Sequence, residues 1–283
     1  MKMVHLNDGR HLAYAEYGKP EGCPVLFFHG FPGSRLQGEL LHEAGVVAGK
    51  RIISIDRPGM GLSTPNDKAS ILSWANDIAE FTKALDLGKF ALIGYSGGAP
   101  FAAACAYAIP DALTKVTLLA GFGPLYNSAI AKDVPLAQRV MGKFVSKLPI
   151  TANIMMYITK TMLKKPDVLM GQMQKKLPPA DQKILENQKM REMMINSTLE
   201  AFRQGIDGPA DEMKLLMRPW GFNLNKIKVP VNIYHGDADT QVPIAHASIY
   251  ADCIPNAHFE KIAGEGHLSI VVNQAKNLLS LNM

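Results

Sequence analysis

Apolar residues in the first 120 positions come in short blocks, separated by longer stretches in which they recur every three or four residues. Val25-Leu26-Phe27-Phe28, Arg51-Ile52-Ile53-Ser54-Ile55, Phe90-Ala91-Leu92-Ile93 and Val116-Thr117-Leu118-Leu119 are blocks of strand length. Blocks that do not alternate with polar residues predict strands buried on both faces. Ile71, Trp74, Ile78, Phe81 and Leu85 follow at steps of 3, 4, 3 and 4, the stripe of an amphipathic helix. Leu36 to Val47 and the alanine-rich residues 98–108 are also helix-like. Upstream, Asn7-Asp8-Gly9 predicts a hairpin turn leading into a strand through Leu12, Tyr14 and Ala15-Glu16-Tyr17. This alternation predicts an α/β fold, a mostly parallel central sheet flanked by helices.

The alternation stops near Gly121. Residues 124–222 are rich in Met, Lys and Leu at helical spacing, with no strand pattern. Strand character resumes at Val229 to Tyr234, followed by a helix near 244–252, a strand from His258 to Ile262 and a helix over 268–281. The simplest account is a discontinuous sheet domain, 1–123 and 223–283, interrupted by a helical insertion at 124–222. No internal repeat or low-complexity linker is visible.

Composition adds limits. With 283 residues, 47% hydrophobic and 19% charged, the chain reads as an ordinary globular protein. Its first residues are polar and lack the pattern of a secretory leader. No run approaches the roughly 20 apolar residues of a membrane span, so no stable membrane insertion is expected. Cys23, Cys105 and Cys253 are far apart and odd in number, and read as reduced thiols of a cytoplasmic protein. Cys105, within Ala102-Ala103-Ala104-Cys105-Ala106, reads as a packed helix position.

The net charge of +5 is unevenly spread: residues 124–222 hold 15 Lys or Arg against 9 Asp or Glu, while the remainder holds 15 against 16. No compact basic cluster is interleaved with aromatics, which argues against nucleic acid. The excess is either a solvated face or, in part, a cleft-facing attraction for anionic substrates or an acidic surface, with Lys164-Lys165 and Lys175-Lys176 the densest pairs. Eleven of the 15 methionines fall in the same segment. Their flexible thioethers either line an adjustable apolar pocket or pack the helices together.

Gly94-Tyr95-Ser96-Gly97-Gly98 matches G-x-S-x-G, a short pattern whose weight comes from its setting. It follows the strand Phe90 to Ile93 and opens a helix near Ala99, the strand–turn–helix arrangement of a nucleophile elbow. The glycines leave room for a very tight turn, and the serine hydroxyl is exposed. Gly97 N–H lies at a helix N-terminus, where unpaired N–H groups and the helix dipole favour an oxyanion.

From here the chain resembles the α/β-hydrolase superfamily, over residues 1–123 and 223–283. His29-Gly30-Phe31-Pro32-Gly33-Ser34 is similar to the family's H-G-x-P-G segment, which implies that Phe31 supplies the second oxyanion N–H. It departs from the H-G-G-G form. Asp56-Arg57-Pro58-Gly59-Met60-Gly61-Leu62-Ser63 resembles the D-x-x-G-x-G-x-S turn, with Asp56 and Arg57 as loop braces. His235-Gly236-Asp237-Ala238-Asp239-Thr240-Gln241-Val242-Pro243 resembles H-G-x-x-D-x-x-V-P. The resemblance makes Asp239 the orienting acid, with Asp237 as competitor. It makes His267, in Gly264-Glu265-Gly266-His267-Leu268 after the last strand, the base. His29 and His235 are loop braces on this reading. The family's Ser–acid–His order excludes His5, His11 and His42. An insertion after the sixth strand implies a cap over the nucleophile.

The chemistry needs each part. A serine hydroxyl requires a base during attack, the imidazole can return the proton to a leaving group, and the carboxylate fixes the tautomer. The expected activity is a serine hydrolase of small to medium, partly apolar carboxylic esters, with thioester, lactone or amide as variants. The alternatives are a small-molecule binding protein for signalling with slow turnover, or a carbon–carbon hydrolase or lyase using the same triad. The expected partner is a small-molecule substrate. No H-E-x-x-H, Cys/His cluster or phosphate-loop pattern appears, so neither metal nor cofactor is expected. The oligomeric state stays open.

Overall fold

The computed structural model describes residues 2–127 and 129–280. Its strands are β1 (Lys2–His5), β2 (His11–Gly18), β3 (Cys23–Phe28), β4 (Lys50–Ile55), β5 (Phe90–Tyr95), β6 (Leu113–Leu119), β7 (Val231–Gly236) and β8 (Ala257–Ile262). They form one sheet in the order β1-β2-β4-β3-β5-β6-β7-β8. β2 pairs antiparallel with both β1 and β4, and every other pairing is parallel.

The helices before β6 are α1 (His42–Val47), α2 (Trp74–Ala84) and α3 (Ala99–Ala108). Between β6 and β7 lie α4 (Leu136–Lys147), α5 (Ile150–Met162), α6 (Pro166–Gln174), α7 (Pro179–Glu186), α8 (Gln188–Ala201) and α9 (Asp207–Leu216). α10 (Ala245–Cys253) joins β7 to β8, and α11 (Ser269–Asn273) and α12 (Ala275–Ser280) follow. Among the described residues, none of these helices is long and apolar enough to cross a membrane.

The apolar blocks become the strands at the centre of the sheet because both of their faces are covered. On β5, Phe90 and Leu92 pack with Trp74, Ile78 and Phe81 of α2, while Ala91, Ile93 and Tyr95 pack with Leu41, Ile270 and Val271. Burying each large apolar side chain is worth about 1.5–3 kcal/mol, so the continuous pattern holds both helical layers on the sheet. Cys105 is buried in α3, as its alanine-rich setting predicts.

Several boundaries differ from the sequence reading. The segment expected as one helix from Leu36 opens as a tight 3-10 stretch, Arg35–Leu41, capped by Ser34, and becomes α-helical only at His42. Ile71 precedes α2 and is buried in the turn before it. β7 begins at Val231 because Pro230 has no N–H to give a ladder. The expected final helix is two short pieces with Gln274 between them, and Leu281 lies outside the described residues.

Residues 124–222 contain no strand among those described. Val145, Ala152, Met156, Ala201, Phe202 and Met213 give this segment a small core of its own, joined by Met60 from the loop after β4. Polar ties also bind it to the sheet. Arg35 bridges Asp56 and Glu200 at 2.6 and 2.7 Å. Arg57 donates to Glu212 at 2.7 Å and to the His29 carbonyl at 2.7 Å. Asp56 and Arg57 are therefore braces, and they brace two parts of the chain against each other.

His246 of α10 makes a similar tie. Its Nδ1 accepts from Gly123 N–H at 2.9 Å, so the ring proton sits on Nε2, which donates to Gln138 of α4 at 2.8 Å. Burial, reinforced by nearby His235, lowers its pKa to about 4, so the ring stays neutral at neutral pH. The unfolded chain takes up this proton near pH ~6.5 and the folded one only near 4, so stability is lost as pH falls across that window. The expected loss is up to about 3 kcal/mol. Urea unfolding at pH 7 and pH 4.5 should show His246→Gln losing less stability over this range than the wild type, and equal losses would contradict the assignment.

Candidate active site

β5 ends at Tyr95, and the backbone reverses at Ser96, whose φ is +53°. The turn fits only because its neighbours are glycines. A Cβ on Gly94 would lie 2.6 Å from the Cβ of Ala102, and one on Gly98 would strike the Phe28 carbonyl. The reversal sends the Ser96 side chain above the sheet and places Gly97 N–H at the start of the turn into α3. The loop after β3 comes close on the other side. A Cβ on Gly97 would lie 3.3 Å from Phe31 N, and one on Gly30 would lie 3.2 Å from the Ser96 Cβ. The amides of Phe31 and Gly97 are thus grouped beside the serine.

Two loops at the same sheet edge complete the group. Ser96 Oγ is 2.9 Å from His267 Nε2, and His267 Nδ1 is 2.6 Å from Asp239 Oδ2. Asp239 Oδ1 accepts from Gln241 N–H and Val242 N–H at 2.9 Å each, which fixes the carboxylate. Burial opposes charge on Asp239, but His267 and His235 outweigh it and hold the carboxyl well below the usual range. Asp237 points elsewhere and accepts from Gly264 N–H at 2.8 Å. His235 donates from Nε2 to the Val242 carbonyl at 2.6 Å, and His29 bonds the Gly30 carbonyl through Nδ1 at 2.8 Å. Burial, with Arg57 nearby, pushes the His29 pKa well down and keeps it neutral.

Three supporting side chains escaped the sequence reading. Tyr95 occupies a free position of G-x-S-x-G, yet its ring lies 5.1 Å from the His267 ring and its hydroxyl donates to the His267 carbonyl at 3.2 Å. Gln37 accepts from Gly30 N–H at 2.8 Å and holds the loop carrying Phe31. The third is Asp181, buried on α7. Its carboxylate accepts from the backbone N–H groups of His267, Leu268 and Ser269 at 2.9, 3.0 and 2.8 Å. In sequence it follows Pro178-Pro179 and reads only as an acid in the first turn of a helix.

A cavity of about 210 Å³ opens beside Ser96 and His267. Leu163, Met170, Met173, Leu177 and Met194 line it, with Thr159, Thr198 and Gln37 as polar points. A second cavity of about 210 Å³ also reaches Ser96 and His267, against Phe122, Met213, Leu216 and Met217. Among the described residues, no Lys, Arg, Asp or Glu lines either cavity. Lys164, Lys165, Lys175 and Lys176 are exposed and line neither, so these pairs do not face the cavities. Five methionines do line the cavities, whereas Met156 packs within the helical core. Among the described residues, no three His, Cys, Asp or Glu side chains group to hold a metal ion.

The model of the alpha/beta hydrolase fold family matches residues 24–274. The chain belongs to this family. It is similar to a non-heme chloroperoxidase of Streptomyces lividans, 26% identical over 94% of this chain and 93% of the relative. An esterase structure from Exiguobacterium antarcticum superposes with a TM-score of 0.74 at 19% identity, covering 99% of this chain and 96% of that one. A thermophilic esterase from Thermogutta terrifontis gives 0.69 at 22% identity, covering 99% and 96%. At such identities these two structures speak for the shared fold.

Within this α/β-hydrolase, Asp181 is the helical segment's grip on the His267 loop. Hydrogen bonds to a charged acceptor are worth about 1.5–3 kcal/mol each. Asp181→Ala should therefore speed hydrogen exchange at the amides of His267, Leu268 and Ser269 by about 10–100-fold, with the β5 amides unchanged. Uniform acceleration across the protein would mean that Asp181 supports only global stability.

Proposed function

We propose that the protein is a serine hydrolase that cleaves small to medium, partly apolar carboxylic esters through an acyl-enzyme on Ser96. The observation that carries this reading is the unbroken relay from Asp239 through His267 to Ser96, opening into cavities free of charged side chains. His267 Nε2 takes the proton as Ser96 Oγ attacks the ester carbonyl. The imidazolium forms while its Nδ1–H remains bonded to the Asp239 carboxylate. The amides of Gly97 and Phe31 hold the oxyanion, typically worth about 3 kcal/mol per donor. His267 then protonates the departing alcohol, and water enters by the reverse steps to free the acid.

Residues 124–222 act as a cap over the core formed by 1–123 and 223–283. Cavity-lining residues from α5 to α8 support this assignment. The two cavities beside Ser96 suit a substrate with apolar groups near its scissile bond. The three free cysteines suit a reducing compartment such as the cytoplasm.

A fluorophosphonate probe should label Ser96, and Ser96→Ala should lose labelling together with several orders of magnitude in kcat. Labelling at another residue, or near-normal turnover in the variant, would refute the reading. Asp239→Asn should cost about 10⁴-fold in kcat, whereas Asp237→Asn should stay near the wild type; the opposite ranking would show that the wrong carboxylate is assigned. Because no charged side chain lines the cavities, neutral esters should exceed anionic esters of equal size in kcat/KM, and a preference for the anionic series would contradict the proposed pocket.

A further inference from the structure

The helix pair α4–α5 has apolar side chains on both of its sides. One side is accounted for: Val145 of α4 and Ala152 and Met156 of α5 enter the same small core with Phe202 and Met213. The other side faces water. Leu136, Val140 and Phe144 follow one another at steps of four on α4, and Ile150, Ile154 and Ile158 do the same on α5. Such spacing lines up residues along one helix face. Leu136 and Ile150 are 66% and 63% exposed, and Tyr157 beside them is 64% exposed. A solvated helix normally carries polar residues there, and an exposed apolar patch of this kind marks a contact surface.

The charge around the stripe identifies what it contacts. From Asp133 to Asp167 the chain holds six Lys or Arg against only the two acids at its ends. Lys143, Lys147, Lys160, Lys164 and Lys165 are all exposed. Two copies meeting through this face would bring like charges together, whereas an anionic surface would be attracted. α5 has 13 residues, too short for a span of roughly 20. Apolar stripes edged by lysines, on helices that cannot span, suit the interfacial plane of a bilayer.

We propose that the α4–α5 pair docks the protein peripherally on an anionic lipid surface, with the stripe seated among the upper acyl chains and the lysines against the headgroups. Thr159, Leu163 and Pro166, from α5 and the positions just after it, line the cavity beside Ser96. The docked pair therefore stands between the lipid phase and the cavity, and an apolar ester could pass from one to the other without crossing bulk water. Docking depends on the helix pair alone; only its use for substrate delivery rests on the proposed ester hydrolysis.

The test is co-sedimentation of the full chain with vesicles of phosphatidylcholine alone or with one third phosphatidylglycerol, using Ser96→Ala in parallel so that lipid hydrolysis cannot alter the vesicles. Binding to the anionic vesicles is expected, weakening as salt rises. Lys143→Gln and Lys147→Gln should each lower partitioning about fivefold. The double variant Phe144→Glu/Ile154→Glu should abolish it while keeping the wild-type circular dichroism. Failure to bind anionic vesicles at low salt, or unimpaired binding by the folded double variant, would overturn the proposal. So would a concentration-dependent dimer in sedimentation velocity that the double variant dissolves, with no vesicle binding. Loss of fluorophosphonate labelling at Ser96 without loss of vesicle binding would instead count against the proposed chemistry alone.

Discussion

The tight reversal at Ser96 is the constraint around which the rest of the molecule is arranged. A side chain in the left-handed region costs roughly 1–2 kcal/mol, and the turn keeps that conformation because β5 on one side and α3 on the other leave no alternative path. The Ser96 carbonyl accepts from Phe122 N–H at 3.1 Å, which ties the reversal to the loop after β6 as well. The sheet supplies rigidity here in a direct sense. Parallel strands on both sides of β5 end at the same edge, so the loops after β3, β6, β7 and β8 gather above it. His267 and Asp239 need only short loops to reach the serine.

The helical segment is part of that arrangement. Asp181 takes three backbone N–H groups that would otherwise be left at the start of α11, and in doing so it sets where His267 begins its turn. Tyr95 holds the carbonyl side of the same residue. The imidazole is thus oriented from the chain on both sides as well as through its ring nitrogens. Any movement of α7 is therefore carried directly to the His267 loop.

Much of this was legible in the sequence. Strands such as Val25 to Phe28 and Phe90 to Ile93 are buried on both faces, and such burial leaves a plain apolar block. Ser96, Asp239, His267, Gly97 and Phe31 lie in loops whose glycine spacing is demanded by tight turns, and the structure gathers all five. Asp181 and Tyr95 were not visible because each acts across a long gap in the chain, and Gln37, only seven residues from Gly30, because its role needs no special backbone or motif. A buried acid serving three distant amides looks, in sequence, like any acid early in a helix. The 3-10 stretch Arg35–Leu41 was missed for a related reason, since its residues also suit an α-helix and tertiary packing decides between them.

The Arg57–Glu212 pair bears on how such a protein can change over time. Both groups are buried and each is the other's counter-charge, so losing one strands the other in the interior at a cost of about 3–5 kcal/mol. Arg35 depends on Glu200 in a similar way, though Asp56 shares its charge. The core therefore carries a charge template that any replacement for residues 124–222 must match. A segment transplanted from another protein would need acids at the positions of Glu200 and Glu212 before its own pocket mattered. Deleting the segment outright would remove Arg57's carboxylate partner as well. New specificities are more accessible through substitutions on the cavity faces of α5 to α8, where methionines and leucines can be exchanged without disturbing that template.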